Sequence, residues 1–252
     1  MNQNSQSVRL ILRRLITSLF ALSSLMTLQS QAQQGDSKEL YNVRELSGWA
    51  VHIRKDLLEA ESTKTEHALK LLNTQLEEIV RVVPAKSVAE LQKVQLWLSP
   101  EYPKTQPRAE YHPSELWLRD NQRDPAMAKG IEFTNVRIFD AETRRMPNFA
   151  LHELAHAYHD RVLPKGFDNL EIKTAYKTVK QNGKYNRVER QDSEGRKRFD
   201  IAYAMTNPQE YFAESTEAYF SRNDFFPFDR NELMQHDPET LALIAKLWCV
   251  EP

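Results

Sequence analysis

The stretch Phe149-Ala-Leu-His152-Glu153-Leu-Ala-His156-Ala157 constrains this chain more than any other part of it. Pro147 stands before it and Pro164 and Gly166 after it, so the spacing predicts a helix from about Asn148 to Val162. Phe149, Ala150, Leu151, Leu154, Ala155 and Ala157 make that helix apolar on nearly every side, as in a helix buried through the centre of a domain. Two imidazoles and a carboxylate are thereby carried inside, where each needs a partner. His152 and His156 fall one turn apart on one face, so they are either core histidines satisfied by hydrogen bonds or ligands that share one metal ion. Glu153, next to the first histidine, can reach a water on such an ion without binding the ion itself. The pattern suits a zinc site in which this carboxylate takes the proton of the attacking water.

A catalytic zinc takes three protein ligands and keeps a fourth place for water. His159 shares the helical face of His152 but stands about 10 Å further along the axis, too far for one ion. In the three-histidine version of the motif glycine occupies the position of His159 and the last histidine that of Val162, which excludes that version. His159 is expected at the rim of the site. A better third ligand lies in Asn207-Pro-Gln-Glu210-Tyr-Phe-Ala-Glu214, where a second helix should begin near Asn207-Pro208. Glu210 and Glu214 are one turn apart, and Glu217 follows three residues on. One carboxylate on the metal and another, a turn later, orienting a ligand histidine would supply both the ligand and its support. The competing readings make Glu210 a capping-box acid with Asn207, and Glu214 and Glu217 a solvated face. Tyr211, Phe212, Ala213, Ala218, Tyr219 and Phe220 make this helix too apolar to be mostly wet.

The beginning of the chain reads as an export signal. Arg9, Arg13 and Arg14 precede an apolar stretch from Leu15 to Leu28, no acid occurs before Asp36, and Ser30-Gln31-Ala32 offers a cleavage site. The expected product is secreted or periplasmic and keeps no stable membrane anchor. Losing residues 1–32 removes three arginines and no acid, which takes the formal net charge from −1 to −4 and points away from nucleic acid as a partner. The single cysteine, Cys249, excludes both an internal disulfide and a thiolate zinc cluster.

Residues 33–47 read as a polar leader and 48–252 as one catalytic domain, with a sheet-and-helix part over 48–146 and a metal-binding helical part over 147–252. Alternation predicts strands at Trp49, Val51 and Ile53 and at Val94, Leu96 and Leu98, a short strand at Leu116–Leu118 within a loop, and an extended run from Ile131 to Phe139. Leu69, Leu72, Leu76 and Val80 predict a helix over Ser62–Val82, and shorter helices are expected over Ala85–Lys93 and Pro238–Trp248. Asn182-Gly183 and Ser193-Glu194-Gly195 mark turns. The excursion from Lys165 to Asp200 holds ten Lys or Arg and six Asp or Glu, and reads as a solvated hairpin that could otherwise favour acidic substrates or act as a lid.

His-Glu-Leu-Ala-His, Glu210-Tyr-Phe-Ala-Glu214, and Tyr203 seven residues before Glu210 together resemble the gluzincin metallopeptidases. The likeness is closer to the catalytic domain of the anthrax toxin lethal factor family, over about residues 130 to 250. The sequence from Glu217 to Phe228 departs from the toxin and is similar to related secreted bacterial and fungal proteins. The resemblance implies an α+β fold: a zincin-like metalloprotease domain with a small mixed sheet, an active-site helix and a C-terminal helical part. It implies one zinc ion on His152, His156 and Glu210, with Glu153 as catalytic base, Tyr203 facing the metal-bound oxygen, and Glu214 behind a ligand. It further implies an edge strand that pairs with an extended peptide or protein substrate. Ile131 to Phe139 takes that place here, with Ile131, Phe133 and Asn135 as its substrate-facing residues. A zinc-holding binding module without catalysis and a structural zinc protein are the other classes, and an intact Glu153 argues against both.

Overall fold

Alternating apolar residues make short strands here, and apolar residues at three- and four-residue steps make the long helices. The structure, a computed structural model, describes residues 40–250, so the expected export segment and residues 33–39 of the leader lie outside the described residues. Strand β1 (Tyr41–Leu46) replaces the rest of the expected leader. Its polar composition suits a strand at the edge of a sheet, which the alternation test does not detect. Ser47-Gly48 turns the chain into β2 (Trp49–Arg54). Gly48 has a φ of +92°, a left-handed conformation that favours glycine, and the end of the Gln92 side chain lies where a Cβ would stand.

The five-stranded sheet has the order β1-β2-β3-β5-β4, with β3 at Leu96–Leu98, β4 at Ala109–Tyr111 and β5 at Ile131–Phe133. β2, β3 and β5 run parallel, and β4 is antiparallel to β5. Every residue of β3 and β5 is buried, as in central parallel strands covered on both faces.

Helices α1 (Lys55–Ala60), α2 (Ser62–Val82) and α3 (Ala85–Leu91) fill the crossover from β2 to β3. α2 buries Leu69, Leu72, Leu76 and Ile79, whereas Val80, expected on that face, is 46% exposed. A stripe of period 3.6 returns to Ile79 after Leu72, not to Val80. Full burial of Leu72, Leu76 and Ile79 contributes about 1.5–3 kcal/mol each.

The strand expected at Leu116–Leu118 is instead helix α4 (Glu115–Asp120), because the Ser114 hydroxyl caps it by accepting from the Trp117 N–H at 3.2 Å. The extended run expected from Ile131 to Phe139 stops at Phe133. A single 3₁₀ turn over Val136–Ile138 and helix α5 (Phe139–Arg145) follow.

Helix α6 (Phe149–Arg161) carries the two motif histidines and is buried on nearly every side. Its first orphan donors are met from side chains. Asn148 Oδ1 accepts from Leu151 N and Gln75 Oε1 from Ala150 N, both at 3.0 Å, while Asn148 Nδ2 donates to Gln75 O. Helix α7 (Leu170–Asn182) ends on Gly183 in the left-handed conformation and is followed by the hairpin β6 (Val188–Gln191) and β7 (Lys197–Asp200), so the polar excursion is a helix plus a hairpin.

Helix α8 (Pro208–Phe220) packs along α6, and α9 (Arg230–His236) and α10 (Pro238–Leu247) close the C-terminal side. Trp248 stacks on Tyr158 of α6 and donates its indole N–H to Thr216 of α8 at 3.0 Å, joining the two helices that matter most. The fold is mixed α and β with a small mixed sheet, and from Val43 onward it is one compact unit. No helix among the described residues is long and apolar enough to cross a membrane.

Candidate metal centre

α6 and α8 bring three ligand atoms together. His152 Nε2 lies 3.1 Å from both Glu210 Oε2 and His156 Nε2, and His156 Nε2 lies 3.3 Å from Glu210 Oε2. Tetrahedral bonds of about 2.0–2.1 Å to nitrogen and oxygen place donor atoms about 3.3 Å apart, so this triangle fits a zinc-sized ion as it stands. Asn207 caps α8 by accepting from the Glu210 N–H at 2.8 Å. That bond uses the backbone of Glu210 and leaves its carboxylate free for the histidines, so the capping reading and the ligand reading both hold.

The electrostatics agree with the geometry. Burial opposes charge on His152, but the carboxylates of Glu217 and Glu210 outweigh it and hold its pKa well above the ordinary imidazole value. Burial would likewise raise Glu210, yet its bonds to His152 and His156 hold it well below the usual carboxylate range. Two imidazoles and one carboxylate that converge in this way call for a positive charge between them, supplied by a proton or by a metal ion.

Behind this trio the sequence expectation is corrected. Glu217 holds His152: its Oε1 accepts from Nδ1–H at 2.5 Å, whereas Glu214 Oε1 is 3.7 Å from the same atom. Glu217 sits two turns beyond Glu210, and the lie of α8 across α6 points that position, one turn past the expected one, at the ring. Glu217 is fully buried and Glu214 nearly so, each with one oxygen lacking a hydrogen bond. Burial raises the pKa of both: that of Glu217 to about 7 against the opposing pull of His152, and that of Glu214 well above the ordinary carboxylate value with the charge of Glu217 adding to the rise. Glu217 keeps the imidazole N–H, and Glu214 makes no hydrogen bond to that ring.

Glu153 points toward β4. Its Oε2 accepts from the Tyr111 backbone N–H at 2.8 Å, and the Tyr111 hydroxyl donates to Asp160 at 2.6 Å, so the edge strand is fastened to α6 at two points. Tyr203, on a 3₁₀ turn just before α8, is half-exposed on the cleft wall. Burial and the charge of Glu210 raise its phenol pKa, which keeps it a proton donor.

The cleft over the trio has a volume of about 560 Å³, and its walls include Arg108, Glu110, Tyr111, Asn135, Phe149 and Tyr203. Of the three residues expected to face a substrate, only Asn135 lines it, with its buried Oδ1 lacking a partner. Ile131 and Phe133 are fully buried on β5, which pairs with β3 on one side and β4 on the other and has no free edge. The free edge next to the site belongs to β4.

His159 is likewise not at the rim. It is fully buried between Phe167 and Phe212 with neither ring nitrogen hydrogen-bonded, and burial lowers its pKa to about 4.

Sequence spacing signalled Glu217 but not its partner. It carried no signal for the grip of β4 on Glu153, since Tyr111 is 42 residues away.

Fold and site together define a mixed α/β domain whose His152, His156 and partly buried Glu210 can hold a metal ion. Residues 124–247 match the family model described as anthrax toxin lethal factor, N- and C-terminal domain, and over that stretch the chain is similar to this family. The match contains all three convergent residues together with Glu153, Tyr203 and Glu217, and leaves β1 to β4 outside. No curated protein and no solved structure matches the chain.

Proposed function

We propose that the protein is an exported zinc metallohydrolase of the gluzincin type with a zincin-like fold, and that it cleaves peptide bonds. The observation that carries this reading is the triangle of His152, His156 and Glu210 atoms at 3.1–3.3 Å, with Glu153 beside it on the cleft wall. A zinc ion held by these residues would supply Lewis acidity toward a water and a carbonyl.

The remaining steps fall to the chain's own groups. Glu153, which the Tyr111 N–H holds until a peptide binds, takes the proton of the attacking water and returns it to the leaving amine. Tyr203 offers its O–H to the charge that develops on the carbonyl oxygen, where a fixed donor is worth most. Glu217 keeps His152 in one tautomer, with Nδ1 protonated and Nε2 turned toward Glu210. The free edge of β4 offers an extended peptide backbone hydrogen bonds, and a peptide that uses the Tyr111 N–H releases Glu153 toward the reaction.

The test is Glu153→Gln. The variant should bind zinc with wild-type stoichiometry and lose all chelator-sensitive cleavage of a mixed peptide library read by mass spectrometry. A wild-type protein that holds one zinc yet cleaves no member of the library would instead be a binding module on the same fold.

A further inference from the structure

β6 and β7 set Arg190 directly opposite Arg198. Like charges facing each other across an antiparallel pair are unfavourable, and an anion between them removes the penalty. The same hairpin adds Arg196 and Lys197, and α5 adds Arg145. With Asp192 as the single acid, these five cations line a pocket of about 390 Å³. Arg145 and Arg190 also line the metal cleft, so the two cavities share these residues in their walls.

Their posture is fixed from behind. Asp224, 2% exposed, accepts from Arg190 Nε at 3.0 Å and lies 3.0 Å from Arg145 Nη1, so one buried carboxylate anchors two guanidiniums. The outer cations are held differently. Lys197 and Arg198 pair with Glu189 and Asp200 on the exposed hairpin surface, where ion pairs are weak and readily exchanged for another carboxylate.

We infer that this basic pocket is a subsite for an acidic side chain of a peptide substrate, an inference that rests on reading the metal cleft as a peptide-cleaving centre. A guanidinium matches a carboxylate with two parallel hydrogen bonds, which suits Asp or Glu. A single concave pocket on a chain of net negative charge accommodates one or two carboxylates, not a polyanion.

The experiment uses zinc-loaded protein and a peptide that it cleaves, made as a series in which each position outside the scissile pair is in turn Glu or Gln. Wild type should favour Glu at one or two positions by about fivefold to tenfold in kcat/KM at low salt, and the preference should fade as salt is added. In the double variant Lys197→Glu/Arg198→Glu that ratio should fall to one or below. A wild-type ratio near one at every position, or a ratio that survives in the double variant, overturns the inference. If wild type cleaves nothing, the peptidase reading fails by itself. The pocket is then judged by fluorescence anisotropy with a labelled Asp/Glu-rich nonapeptide and its Asn/Gln counterpart, where equal affinities overturn it and tighter binding of the acidic peptide, lost in the double variant, supports it.

Discussion

Replacing Glu217 by Gln separates this site from the arrangement its sequence spacing suggests. The Glu217 carboxylate is fully buried and accepts from His152 Nδ1 at 2.5 Å, so it fixes the tautomer and feeds charge into the ring. A glutamine of the same shape keeps an oxygen that can accept from Nδ1–H but loses the charge. Supporting carboxylates of this kind are worth about 10–100-fold in metal affinity, and the conservative amide should fall near the lower end, about tenfold or 1.4 kcal/mol. Glu217→Leu removes the acceptor as well and should approach about 100-fold. Glu214, 3.7 Å from the same nitrogen and so beyond hydrogen-bond reach of it, is the internal comparison, and Glu214→Gln should change affinity less than about threefold. The assay is competition for zinc against a chromogenic chelator at pH 7.5, with far-UV circular dichroism to confirm folding. If Glu214→Gln costs more than Glu217→Gln, or if neither moves the affinity twofold, then Glu217 does not position the ring and the reasoning is wrong.

Glu210→Ala should leave the two helices folded but abolish retention of zinc through dialysis, read by metal analysis, because two imidazoles alone make an incomplete site. His159 makes the apo-protein sensitive to acid. Its folded pKa of about 4 lies below the ordinary 6.5, so the unfolded chain binds the extra proton. The stability of the neutral buried ring is complete above pH 6.5 and is lost as pH falls toward 4, a loss of up to about 3 kcal/mol. Urea unfolding of wild type and His159→Leu in chelator should therefore show a gap that widens in favour of the variant between pH 7 and pH 4. A gap independent of pH would mean that the ring is not held neutral.

Much of this protein can be read in one dimension because its signals are periodic and local. The bounds of α2, the caps on α6 and α8, and the burial of an apolar helix carrying His152 and His156 all follow from residues within a turn or two of one another. Glu210, 58 residues from His152, is legible only as a candidate ligand of the right chemistry at a helix start.

What one dimension does not contain is the angle at which α8 crosses α6 and the order in which the strands pair. The crossing decided that Glu217, not Glu214, meets His152. The pairing order enclosed β5, within the run Ile131 to Phe139 expected at the edge, and left β4 at the end of the sheet beside the cleft. Arg145 of α5, Arg190 of β6 and Asp224 of the loop after α8 meet only after those segments dock. Local propensity acts over a few residues, whereas burial and strand pairing act between segments far apart in the chain. The sequence by itself therefore determined which residues can hold a metal, and the tertiary structure decided which residues stand behind them and where the cleft opens.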